Sequence, residues 1–69
     1  MDFDYSKLSA AFDRLSKPAK RALINKAIFS PADLATWTRR DVAKLHGIGP
    51  TAFPILDAAL RGANLDFSA

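Results

Sequence analysis

Leu8, Ala11, Phe12 and Leu15 recur at i, i+3, i+4 and i+7, the spacing of one helical face, and predict a short first helix near residues 6–15. Pro18 would break a hydrogen bond inside a helix but suits a first turn. With Ser16 or Lys17 before it as the start, a second helix should run to about Ile28. Its Ala19, Ala22, Leu23 and Ala27 would face the core, leaving Lys17, Lys20, Arg21 and Lys26 mostly outward. Phe29-Ser30-Pro31-Ala32-Asp33-Leu34 and Trp37-Thr38-Arg39-Arg40-Asp41-Val42 then repeat one grammar. The Ser or Thr accepts from free first-turn amides, the Asp three residues on sits at the positive helix end, and the flanking apolar pair closes as a staple. Two short helices are expected, near 31–35 and 39–45. Trp37 is open between a staple residue partly covering the core and an exposed stacking surface.

His46-Gly47-Ile48-Gly49-Pro50 interrupts the periodicity, because the glycines permit positive φ and Pro50 can restart a helix. A last helix carries Ile55, Leu56, Ala59 and Leu60 and stops at Gly62, a suitable C-terminal glycine. Starting it at Thr51 as cap avoids losing a hydrogen bond at Pro54. Residues 64–69 form a tail whose Leu65 and Phe67 can pack back. No segment alternates as a strand does, so the expectation is an all-α compact bundle of about five short helices, with 1–69 as a single helical domain.

Composition narrows the function. The chain has 69 residues and no cysteine, which excludes disulfides and Cys-based zinc sites. One His, no Glu and no nucleophile constellation point away from an enzyme, with no cofactor and no metal expected; Asp33 and Asp41 are accounted for as helix-capping charges. No apolar run approaches the ~20 residues of a membrane span. Met1-Asp2-Phe3-Asp4 carries acids where a signal peptide is basic, so a soluble, cytoplasmic setting without membrane contact is expected. The net charge is +3, and residues 14–44 are its basic part, with Arg14, Lys17, Lys20, Arg21, Lys26, Arg39, Arg40 and Lys44 against Asp33 and Asp41. These are either the footprint of a polyanion site or solvated helix faces.

A glycine hairpin between helices leaves backbone amides outward at a helix start, which favours phosphate without reading bases. Val42-Ala43-Lys44-Leu45-His46-Gly47-Ile48-Gly49-Pro50 resembles the helix-hairpin-helix motif of DNA-binding proteins, an apolar-x-x-Leu-x-Gly-Ile-Gly-Pro pattern, which would span about 39–61. Residues 15–67 resemble the C-terminal domain of the bacterial RNA polymerase alpha subunit, without gaps from Leu15-Ser16 through Ala27-Ile28, Asp33-Leu34, Leu45 and Gly49 to Leu60. That resemblance implies a SAM-domain-like bundle of four helices plus a nonstandard helical segment, binding to the DNA minor groove, and contacts with transcription activators and sigma factor. Two of the family's DNA contacts differ here: its arginine corresponds to Pro18, and the lysine after its hairpin glycine to Thr51. Phe53 stands where the general motif uses a small residue.

The expected function is a small nucleic-acid-binding module with weak, largely sequence-independent DNA binding, linked to transcription. Gly47, Ile48 and Gly49 would present amides, Thr51 a hydroxyl, and Lys17, Lys20, Arg21 and Lys44 charge. His46 is open between a turn residue and a phosphate contact, and Thr51 between a cap and a ligand. The alternative is a protein–protein interaction module that kept the fold, lost DNA binding and docks on transcription machinery. Pro18, Thr51, Phe53 and Pro54 favour it, with Phe53 or Trp37 as interface anchors.

Overall fold

The structure, a computed structural model, describes residues 4–69. The described residues form four α-helices, α1 (Lys17–Asn25), α2 (Pro31–Leu34), α3 (Arg39–Ala43) and α4 (Phe53–Gly62), and three short 3-10 turns, of which Tyr5–Lys7 and Ala10–Phe12 precede α1 and Pro50–Ala52 leads into α4. Among the described residues there is no strand, only an isolated parallel bridge between Thr38 and Ser68. The radius of gyration is 10.7 Å.

The first expected helix is replaced by two of these 3-10 turns. Asp4 accepts from the amide of Ser6, and Ser9 from that of Ala11, so each turn has its own cap. Leu8 and Ser9 between them are extended, and the Ser9 amide donates to the Phe29 carbonyl at 2.7 Å. Closely spaced Asp and Ser side chains offer the backbone partners that compete with a continuous helix. The apolar pattern survives at three-residue spacing. Phe12 and Leu15 are buried, while Ala11, assigned to the same face by a 3.6 period, is exposed.

Ser16 caps α1 by accepting from Ala19, and Pro18 lies in the first turn, as its missing amide requires. The helix stops at Asn25, short of Ile28. Ala27 adopts φ 57°, its amide donates to Ile24 and the Ile28 amide donates back to Leu23 at 2.9 Å. This is a Schellman ending with alanine in the left-handed position usually held by glycine. Ala27 is therefore exposed instead of facing the core, and Ile28 takes its place, fully buried beside Leu23. The end of α4 repeats the geometry with Asn64 at φ 58° and the Leu65 amide donating to Leu60 at 2.8 Å. Asn64 provides the left-handed residue; Gly62 is merely the last helical one.

The short helices follow their capping signals. Ser30 and Asp33 close a reciprocal capping box on α2, and the Asp33 carboxylate also accepts from Phe29. Thr38 caps α3 by accepting from Asp41 at 3.0 Å. The helices end at Leu34 and Ala43, one and two residues before the expected limits. Thr51, expected as the cap of the last helix, makes no capping bond. Pro50 opens a 3-10 turn that runs into α4, where Pro54 lies in the first turn and loses no bond.

Phe12, Leu23, Ile28, Leu34, Val42 and Leu56 are the largest fully buried side chains. Each stabilises the fold by about 1.5–3 kcal/mol over exposure, so these six dominate the small core. No polar side chain is buried among the described residues. Trp37 is half-buried against this core, as a staple residue would be, and its carbonyl accepts from Ser68 at 2.9 Å. The tail thus packs back through Leu65 and Phe67. No helix among the described residues is long and apolar enough to cross a membrane.

Candidate nucleic-acid interface

The turn after α3 is built around one left-handed glycine. Gly47 has φ +101°, and a Cβ there would sit 2.5 Å from the Pro18 carbonyl oxygen. Glycine is thus required twice over, for the backbone conformation and for the close approach to the start of α1. Gly49 is different: it is extended, with open space where a Cβ would stand. Between them Ile48 is 9% exposed.

Ile48 cannot serve through its amide as the sequence suggests, because that amide donates to the Leu45 carbonyl at 3.1 Å. Its part is to anchor the turn to the core. The amides of His46, Gly47, Gly49 and Thr51 donate to no group among the described residues, and Pro50 has none to offer. These four are the backbone donors of the turn, and the Thr51 side chain is exposed beside them.

Two depressions flank the contact between Pro18 and Gly47. The first, about 270 Å³, is lined by Arg14, Ser16, Gly47, Gly49 and Thr51 among others. The second, about 330 Å³, is lined by Pro18, Arg21, Asn25, His46 and Gly47 among others. Among the described residues no carboxylate lines either one. Aspartates border other depressions: Asp13 an open groove that Arg14 also lines, Asp57 and Asp66 the one beside Arg39. Arg21 is oriented by its Nε, which donates to the Tyr5 hydroxyl at 3.1 Å.

Of the residues singled out from sequence, Gly47, Gly49, Thr51, Arg21 and His46 are thus brought together. Lys17, Lys20 and Lys44 line neither depression. Lys17 and Lys44 are exposed and Lys20 half-exposed. Arg14, Ser16 and Asn25 were missed as site residues. Arg14 was visible only as one charge of the basic segment, since its placement depends on the 3-10 turn before it.

Arg39 is engaged elsewhere. Its guanidinium donates to both carboxylate oxygens of Asp57, at 2.7 and 3.1 Å, and lies over the rings of Phe53 at 4.5 Å and Phe67 at 5.5 Å. The hydrogen bonds from Arg39 hold the Asp57 carboxyl below its ordinary range, with the nearby Arg39 and Arg61 charges adding to the effect. Phe53, a departure from the hairpin pattern, is accommodated here as half-buried cover for Arg39 and the tail. Among the described residues no cluster of His, Cys, Asp or Glu could hold a metal ion. No family model, curated protein or solved structure matches the chain.

Proposed function

We propose that this protein is a small nucleic-acid-binding module, a binder and not an enzyme, taking DNA weakly and with little sequence preference, in a role linked to transcription. On this reading residues 39–61 act as a helix-hairpin-helix unit in a bundle like the C-terminal domain of the polymerase alpha subunit, with the 3-10 segments taking the place of a fifth helix. The observation that carries it is the meeting of Pro18 and Gly47. It sets the first turn of α1 against the glycine turn, so that Arg21, His46 and the amides of Gly47, Gly49 and Thr51 share one region that no aspartate among the described residues lines. Amides and cations of this kind neutralise phosphates and contact no base edge, hence the low sequence preference. Lys17, Lys20 and Lys44 add long-range attraction at its margin.

The test is an NMR titration with a short duplex at low salt. Shift changes should centre on Gly47, Gly49, Thr51 and Ala52 and extend to Lys17, Lys20 and Arg21. Changes confined to the acidic N-terminal residues, or none at millimolar DNA, would sink the proposal.

One observation favours the alternative of a protein–protein interaction module. An open groove of about 760 Å³ runs between the second 3-10 turn and α4, lined mainly by apolar groups including Ala10, Ala11, Pro31, Ile55 and Ala58. Binding there would be nearly insensitive to salt, whereas phosphate binding weakens steeply as salt rises.

A further inference from the structure

We infer that the open groove between the second 3-10 turn and α4 is filled by a second copy of this chain, the same face meeting itself about a two-fold axis. The inference goes beyond the nucleic-acid reading and does not depend on it.

Charge selects the occupant. Asp13 and Arg14 are the charged residues among the groove's described lining, adjacent in the chain and both exposed. Among the described residues neither side chain has an ion-pair or hydrogen-bond partner. A strongly acidic or strongly basic partner would set a like charge against one of them. A second copy running in the opposite direction meets both with opposites, Asp13 against Arg14 of the other copy and Arg14 against its Asp13, and brings no net charge into the contact.

Shape makes the same selection. Ala10, Ala11, Ala58 and Gly62 are exposed and small, while Ile55 is the one large apolar side chain among the described lining and is only half-buried. A two-fold contact sets the Ile55 of each copy toward the small residues of the other. A stable dimer needs about 800 Å² from each partner, about a sixth of the 4597 Å² this chain exposes, so a single groove face supports a weak, concentration-dependent pair.

The experiment is sedimentation velocity from about 10 μM to about 1 mM, with melting curves as a check on folding. It is run without nucleic acid, because Arg14 and Ile55 also line the depression at the glycine turn. Wild type should exchange between monomer and dimer with a Kd of about 100 μM. Asp13→Arg and Arg14→Asp each set like charges across the axis and should weaken association at least about tenfold. An equimolar mixture of the two variants should restore it, since every cross pair is then opposite in sign. Gly62→Gln puts a polar side chain into the groove at a position whose Cβ meets nothing within 4 Å. It should also remove the dimer, yet melt no lower than wild type, because glutamine is the better helix former. Wild type that stays monomeric at the highest concentration, a mixture no better than its components, or Gly62→Gln that pairs like wild type would each overturn the inference. The groove would then be left to a partner of other chemistry, and duplex binding, measured separately, would be unaffected.

Discussion

Two residues occupy the left-handed region under opposite pressures. Gly47 needs both its φ of +101° and its missing side chain, because the nearest neighbour is a backbone oxygen that cannot swing away. Ala27 sits at φ 57° without glycine's freedom, so the end of α1 carries strain that its two hydrogen bonds and the burial of Ile28 offset. Denaturant melts should show the two substitutions moving stability in opposite directions. Gly47→Ala should lose about 2 kcal/mol or more, and Ala27→Gly should gain about 0.5–1 kcal/mol, the relief of strain exceeding the extra chain entropy. A neutral Gly47→Ala would contradict the close approach to Pro18. The need for glycine at 47 is legible from the Gly-Ile-Gly pattern, but the partner across the gap is not. Ala27 misleads because alanine is a strong helix former placed four residues after Leu23, and local pattern cannot announce a left-handed alanine.

At the scale of elements, capping chemistry was legible wherever one side chain serves one helix end, as at Ser16, Ser30 and Thr38. It failed where signals crowd, as with Asp4, Ser6 and Ser9, and where Pro50 diverted the chain into a 3-10 turn. The junction of α3, α4 and the tail was not legible at all, since Arg39 and Asp57 are eighteen residues apart and each resembles an ordinary surface charge. Their pairing has a pH signature. Because the folded protein holds the Asp57 carboxyl below its ordinary range, the ionised form favours folding. That contribution is complete above the ordinary carboxylate pKa and is lost as pH falls through the lowered one. The exposed Asp4 carboxyl, lowered by two hydrogen bonds from Ser6, acts in the same direction. Asp57→Asn should therefore be slightly less stable at neutral pH and should lose less stability between about pH 5 and pH 2 than wild type. Parallel acid limbs in chemical denaturation would mean that the pair contributes nothing to the junction.

Across the whole molecule the charges sort by depth and by side. Every Lys, Arg and Asp among the described residues lies outside the buried core, and none of the described aspartates lines the two depressions at the Pro18–Gly47 contact. Lys17 and Arg21 are one turn apart on α1 and so share a face, with half-exposed Lys20 adjacent. If these three cations meet phosphates, their combined replacement by alanine should reduce the log–log salt slope of duplex binding by about three while leaving the melting temperature nearly unchanged, because alanine is the best helix former at such positions. The Arg21 substitution also removes its hydrogen bond to Tyr5, so Tyr5→Phe is the matched control. It should weaken binding modestly by releasing the guanidinium, yet keep the slope, since the charge remains. An unchanged slope in the triple variant would mean that α1 faces away from the ligand. Arg39 is then no candidate, held as it is by Asp57 and two rings, and the search passes to exposed Arg40 and Lys44 on α3 and at its C-terminal end.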